Sequence, residues 1–411
     1  MPAIAVWIIA LVTIAAIVVR PFGIAEWIWA VAGAAIMVAA HLLGGAQAAQ
    51  AARDGLPVYA FLLGMLALAE LARVQGLFDW ISVTLAQRAA SDTRRLFLWL
   101  FCGAVVLTAL LSNDGTILLL TPAALALARG AKIAVAPFAF AIAFVANAAS
   151  FILPISNPAN LVVFSPLPQL VPWLAVFAAP SAVALVVTFA VLRALYARDL
   201  RGTYDVPQER PALSQSASLT AIVVAIALAI IVVAAGLGWP VGYVAFAVGV
   251  LAVIAIGIRE PASSVAVVRE APWSVIPLVG GLFVIVRAVD ATGALEHARA
   301  ILRQASAMPH VLGQLYAGGV VTVADALINN LPAGVVVRYA LQGDGIAPHV
   351  AHAVLIGIDL GPNLSLSASL ATLLWAIMLR REGIEINPWR FLLIGAMVTI
   401  PSLALALLTV R

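Results

Sequence analysis

Residues 111–122 read LSNDGTILLLTP, set inside a run from 96 to 128 that is otherwise almost entirely apolar. A second stretch, INNLPAGVVV at 328–337, repeats the arrangement in the segment 311–342. In hydrocarbon an interrupted helix strands amides and carbonyls that cost several kcal/mol each, unless protein or a wet cavity covers them. The reading that satisfies both stretches is a re-entrant hairpin with two apolar helical arms and a polar tip buried in the protein. At the first tip Gly115 is expected to permit the turn, while Ser112 and Asn113 supply donors and acceptors.

The remainder of the chain supports a membrane setting. Hydrophobic residues make up 64% of the 411 and charged ones 10%, with a mean hydropathy of +1.12. Soluble domains carry about a quarter charged residues. Apolar segments fit to cross a bilayer run 4–19, 24–43, 57–73, 134–165, 170–192, 218–236, 240–258, 273–289, 348–379 and 389–409. A crossing takes about 20 residues. The segments 134–165 and 348–379 exceed this and hold Pro, Asn, Ser and Gly in their middles, so each predicts a broken helix. The stretches 77–89 and 295–305 mix charge and apolarity at helical spacing, as interfacial helices do. The first apolar stretch lacks a basic leader and a small-residue cleavage site, and is expected to stay as a helix.

An internal repeat organises these elements. At an offset of 217 Gly64 meets Gly281, Gly76 meets Gly293 and Asn113 meets Asn330. Past the hairpins the offset becomes 212, pairing Asn147 with Asp359 and Asn157 with Ser369. Each half is three crossings, a hairpin, a broken crossing and a last crossing. Five crossings per half forces the second copy to enter from the opposite side. The predicted fold is therefore an all-α polytopic membrane protein of about ten transmembrane helices plus two re-entrant hairpins, built as inverted-topology repeats with two broken helices. The first repeat is 1–195 (hairpin 96–128, broken helix 134–165) and 196–217 is a cytoplasmic linker. The second repeat is 218–411 (hairpin 311–342, broken helix 348–379). With 73–95, 129–132, 193–216, 259–269 and 380–390 on the cytoplasmic side together with Arg20, that side holds sixteen Lys and Arg against six opposite, as the positive-inside rule requires.

Two tips and two breaks can converge near the midplane, where free helix ends coordinate an ion or substrate. The candidate cargo ligands are Asn113, Asn330, Ser150, Ser156, Asn157, Asn363, Ser365, Ser367 and Ser369. A carboxylate at membrane depth is costly to keep charged, which suits a proton carrier. Asp114, Asp359 and Asp325 are the candidates for that role, with capping of the second arm of its own hairpin as the lesser alternative for Asp114. Glu70 and Arg287 fit pairing at crossing ends.

Other chemistries lack their motifs. Neither a P-loop nor a dinucleotide fingerprint is present, and His41, His297, His310, His349 and His352 show no zinc spacing. The one cysteine, Cys102, allows no intramolecular disulfide or thiolate cluster. The net charge of +4 sits at span ends rather than in a basic-aromatic patch, so no nucleic acid is implied. No cofactor and no enzymatic activity are expected. A secondary transporter is the expectation, with a cation-coupled anion or dicarboxylate carrier, a sodium/proton antiporter and an uncoupled channel as alternatives.

Four stretches, NDGTILLLTP (113–122), SNPANLV (156–162), NNLPAGVVV (329–337) and GIDLGPNLSLSASLATLLW (357–375), resemble the arsenite/antimonite efflux permeases of the arsenical pump membrane protein (ArsB) type. These belong to the broader ion transporter superfamily. GLFDW (76–80) and APW (271–273) add to the likeness, which runs over nearly the whole chain. The resemblance implies extrusion of arsenite and antimonite as neutral hydroxides across the cytoplasmic membrane in exchange for protons, with a separate arsenite-stimulated ATPase as a partner in some systems. It also implies an acid where Asn147 stands and a Lys where Asn363 stands. Both departures remove a charge, which shifts the expected proton carriers to Asp114 and Asp359, with Asp325 as a possible substitute.

Overall fold

Long runs of Ala, Val, Ile and Leu in hydrocarbon have no backbone partner but their own, so they close as helix. A computed structural model describes residues 2–205, 213–270, 273–293 and 295–410. Arg210, Arg411 and the first two residues of the 271–273 fragment lie outside the described residues. Among those described, regular structure is helical apart from one bridge between Asp92 and Thr203.

The first half runs α1 (Pro2–Val19), α2 (Glu26–Ala39), α3 (Gly45–Asp54), α4 (Leu56–Val74), α5 (Leu77–Arg88), α6 (Thr93–Gly130), α7 (Ala136–Ala148), α8 (Pro158–Val163) and α9 (Leu170–Leu195). The second runs α10 (Gln215–Leu237), α11 (Val241–Gly257), α12 (Pro261–Glu270), α13 (Val275–Asp290), α14 (Leu295–Ala307), α15 (His310–Ile328), α16 (Asn330–Leu341), α17 (Pro348–Leu360), a 3-10 turn (Gly361–Leu364), α18 (Leu370–Arg381) and α19 (Pro388–Leu407). Seven stretches among the described residues are long and apolar enough to span, and α1, α2, α7 and α11 are shorter apolar helices. The two halves match element for element. Two short helices, α3 and α12, were not expected from the sequence; they occupy equivalent places between the second and third crossings.

Both hairpins form. Ser112 (φ 72°, ψ 165°) breaks α6, and Asn329 (φ 81°, ψ 146°) separates α15 from α16. These residues are equivalents at the 217 offset. Thr108 Oγ1 donates to Thr116 Oγ1 at 3.0 Å across the first tip, a contact that eight residues of straight helix, about 12 Å long, could not make. The base of the second hairpin closes on α14. Arg303 Nε donates to the Asp344 carbonyl at 3.0 Å, and the Ala347 amide to Ser306 Oγ at 2.9 Å.

The turn does not fall on Gly115. That residue is helical, and a methyl added there would make only ordinary contacts with Leu111 and Ala69. Glycine is instead required where helices cross. A Cβ on Gly249 would meet the Gly64 carbonyl at 2.7 Å, and one on Gly281 the Ala30 carbonyl at 2.7 Å. Thus α4 packs on α11 and α13 on α2, each pairing one half with the other.

Polar contacts gather at two opposite faces. At one, Arg73 pairs with Glu70 and Glu270, Arg129 with Glu382, and the Thr93 amide bonds the Gly202 carbonyl at 3.3 Å. At the other, Arg287 and Arg299 hold Asp290 at 3.1 and 3.2 Å, and Gln314 Nε2 donates to the Val410 carbonyl at 3.1 Å. The first hairpin has its base at the former face and the second at the latter, so the repeats are inverted.

Candidate functional site

The breaks come together at the centre of the bundle. In each half the hairpin tip is bonded to the break of the same half. The Asn113 amide donates to the Ser156 carbonyl at 3.1 Å, and the Asn330 amide to the Ala368 carbonyl at 2.7 Å. These two bonds are repeat equivalents. Asn329 Nδ2 adds a bond to the Ser367 carbonyl at 2.9 Å.

Across the halves, side chains make the joins. Asn147 Nδ2, at the end of α7, donates to Oδ1 of Asn363 in the 3-10 turn at 2.9 Å. Asn157 does two things at once. Its Oδ1 accepts the Ala159 amide at 2.9 Å and caps α8, while its Nδ2 donates to Asp359 Oδ1 at 2.5 Å. Asp114 lies near the backbone amide of Ala371, in the first turn of α18 of the opposite half. The residues implied to have lost an acid and a lysine, Asn147 and Asn363, are direct partners.

Several expected ligands have their hydroxyls committed to the backbone. Ser150 Oγ donates to the Ala146 carbonyl at 2.8 Å. Ser156 Oγ donates to the Ala109 carbonyl and accepts the Leu153 amide, both at 3.1 Å. Ser369 caps α18 through the Thr372 amide at 3.0 Å. Ser365 and Ser367 bond each other at 3.1 Å outside the fully buried centre.

What remains free at the centre is a set of amide and carboxyl atoms. Asn113 Nδ2, Asn147 Oδ1, Asn363 Nδ2, Asp359 Oδ2 and both oxygens of Asp325 are buried and have no hydrogen-bond partner. Buried polar groups are satisfied in more than nine cases in ten, so these unpaired atoms make the centre the candidate site. Asn113, Asn147, Asn157, Asn363, Asp325 and Asp359 are each 0–1% exposed. The centre is thus closed to both faces in this conformation. Sequence reasoning weighed Asn147 only as a departure and missed Asn160, whose Nδ2 holds the Ser150 carbonyl at 2.9 Å. The signal for Asn160 lay inside SNPANLV. Groups of three or more His, Cys, Asp or Glu able to hold a metal are absent among the described residues.

Known proteins point the same way. The arsenical pump membrane proteins of Yersinia enterocolitica and Escherichia coli K12 are each 28% identical, over 347 and 352 residues, covering 81% of this chain and 80% of theirs. The 46 kDa membrane protein of Mycobacterium leprae is 25% identical and covers 92% of this chain and 91% of its own. These bear out the resemblance carried by the motifs. In fold, the crystal structure of the Alcanivorax borkumensis YdaH transporter aligns with a TM-score of 0.57 at 14% identity, over 88% of this chain and 86% of that one. The family model for citrate transporters (CitMHS) matches residues 4–379, and the chain belongs to that family of multi-pass membrane transporters.

Proposed function

We propose that this transporter is a secondary active efflux carrier for arsenite and antimonite, moved as neutral hydroxides in exchange for protons. One observation carries the reading: three aspartates are buried in the described interior, and no Lys or Arg is. A dianion such as succinate, or a trianion such as citrate, would enter a site of its own charge. Helix N-termini can hold anions without a base, but both half-helix N-termini are occupied here. Asn157 takes that of α8, and Ser369 takes that of α18.

A neutral trihydroxide offers hydroxyls that each donate and accept. That chemistry matches the free donors on Asn113 and Asn363 and the free acceptor on Asn147. Thiolate chelation is not required, since Cys102 is exposed and away from the centre. The buried carboxyls Asp114, Asp359 and Asp325 supply proton-binding groups, and coupling follows if protonation and cargo favour opposite conformations. The Arg73, Arg129 and Arg380 face is assigned to the cytoplasm. A separate ATPase is not needed for this cycle.

The test is flux in proteoliposomes under an imposed pH gradient, with arsenite, citrate and succinate as cargo, each with and without sodium. Accumulation of arsenite that collapses with the pH gradient is expected. Sodium-driven uptake of citrate or succinate without arsenite flux would overturn the assignment, as would sodium–proton exchange that proceeds without any metalloid.

A further inference from the structure

Two arginines of α14 hold the base of the second hairpin. Arg299 Nη2 donates to the Tyr339 carbonyl at 3.3 Å and to Asp290 Oδ1 at 3.2 Å, and its Nη1 donates to Glu296 Oε1 at 2.5 Å. Its stem packs on Gly343, where an added Cβ would meet Arg299 Cδ at 3.1 Å. One turn on, Arg303 reaches the Asp344 carbonyl. At the 217 offset Glu296 corresponds to Asp79, Arg299 to Ser82, Arg303 to Ala86, Ala340 to Ala123 and Gly343 to Ala126. The backbone bears out this register: Gly76 and Gly293, which precede α5 and α14, hold φ 71° and 75°, and the two tips turn at Ser112 and Asn329.

The first half thus keeps the acid of α14 and lacks both arginines, and the space is open. A cavity of about 540 Å³ lies at this place, lined by Asp79 and Ser82 of α5, by Ala123, Ala126 and Gly130 of the first hairpin's second arm, and by Asp205. Ser82 is 2% exposed, and its Oγ is buried with no hydrogen-bond partner. Gly130 ends α6, so the negative end of that helix lies at the cavity. Asp290 corresponds to Arg73, which is taken up by Glu70 and Glu270; Asp205 supplies the second carboxylate instead. Among the described residues that line the cavity there is no Lys or Arg. Arg129 is paired with Glu382, Arg88 lies over the Trp99 ring, and Lys132 is exposed past the end of α6.

We infer that this cavity is a binding site for a guanidinium-bearing small molecule from the cytoplasm, which docks where the Arg299 side chain sits in the other repeat. Two carboxylates, an unclaimed hydroxyl and a helix C-terminus present acceptors and negative charge to a planar group that only donates. A metal ion needs a close shell of about six oxygens, which two carboxylates around so large a space do not supply. The bound group ties α5 to the end of the hairpin arm, as Arg299 ties α14 to α16, and so restrains the first hairpin. The site is separate from the central amide cradle and holds whichever cargo the carrier exports.

The experiment titrates methylguanidinium chloride, at millimolar concentration, into the purified detergent-solubilised protein and follows the thermal unfolding midpoint. Tetramethylammonium chloride at equal concentration is the control for salt. A saturable rise is expected with methylguanidinium alone, and Asp79→Asn and Asp205→Asn should each weaken the apparent affinity about tenfold. Ser82→Arg supplies the guanidinium from within, so its midpoint should no longer respond to the ligand. Both aspartates are exposed, so their variants decide the matter even if Ser82→Arg does not fold. Amide hydrogen exchange should slow on binding over residues 123–131 and stay as it was over the equivalent 340–348. The inference is overturned by the absence of a saturable rise, by an equal affinity in Asp79→Asn, or by slowed exchange confined to other segments. Saturable stabilisation by magnesium chloride in place of methylguanidinium overturns it too.

Discussion

Replacing Asn157 by Ala removes two interactions made by one side chain, and their sizes can be set apart in advance. The cap on the Ala159 amide at 2.9 Å is of a kind worth about 1 kcal/mol. The bond to Asp359 crosses from one repeat to the other. Bonds to charged groups in soluble proteins run to about 1.5–3 kcal/mol, but side-chain bonds between membrane helices average about 0.6 and peak near 1.7 kcal/mol. The smaller scale should win, because the unfolded chain in a bilayer or micelle also finds partners for both groups. Asn157→Ala should therefore cost roughly 2 kcal/mol in all. The double-mutant cycle with Asp359→Ala should return a coupling of about 1 kcal/mol. Asp359→Ala leaves the cap in place and removes the cross-half bond, so it reports the second term. Reversible unfolding of the detergent-solubilised protein measures all four corners. A coupling indistinguishable from zero would mean that this bond does not hold the halves together, and the convergence of the breaks would need another cause.

Two further outcomes follow from local geometry. Ser112 holds φ 72° and ψ 165°, a region that costs non-glycine residues about 1–3 kcal/mol. Ser112→Gly should raise the unfolding midpoint while Ser112→Val lowers it; a lower midpoint for the glycine variant would show that the tip is unstrained. Asp92 caps α6 by accepting the Arg95 and Arg94 amides at 3.0 and 2.8 Å, and these bonds hold its carboxyl below the usual carboxylate range. A depressed folded-state value means the cap is present at neutral pH and is lost as pH falls below about 4, the unfolded value. Asp92→Ala should therefore lose about 1 kcal/mol of stability at pH 7 and show a shallower acid limb than wild type; parallel acid limbs would rule out the cap.

The broad architecture was legible because polar residues inside hydrocarbon-grade sequence have few permitted explanations. SNDG and NNLP could only be tips, and the centres of 134–165 and 348–379 could only be breaks. The exact turning residue was not legible. Glycine is the default for positive φ, yet the turns fall on Ser112 and Asn329, positions set by the bonds from Asn113 and Asn330 to carbonyls of the breaks more than thirty residues on. The helices α3 and α12 were missed because ten-residue segments of mixed polarity look like loops between crossings. The cross-half contacts were out of reach for a stronger reason. Asn147 and Asn363 are 216 residues apart and Asn157 and Asp359 are 202 apart, and local periodicity carries no information at that range. For the same reason the serines Ser150, Ser156 and Ser369 looked as eligible as the asparagines, although the backbone claims their hydroxyls.

The division of labour between skeleton and side chains bears on how such a protein can alternate its access. The bonds that define the two tips are made by backbone amides and carbonyls at equivalent positions, so each hairpin is tied to its own break in the same way. An inverted pair of such units gives two opposed conformations of similar energy, which an exchanger needs. The side chains at those equivalent places differ. Thr108 stands opposite Asp325, Asp114 opposite Leu331, Asn147 opposite Asp359 and Asn157 opposite Ser369. Backbone pairing does not depend on these identities, so they could diverge while the fold stayed symmetric. Two of the three buried acids consequently lie in the second half, where under the proposed proton coupling the loss or gain of a proton would bias one of the two conformations. Moving an acid to the first half, as in Thr108→Asp with Asp325→Thr, should preserve the fold and reverse that bias, which the ratio of inward- to outward-accessible cysteine labelling at the two faces would report.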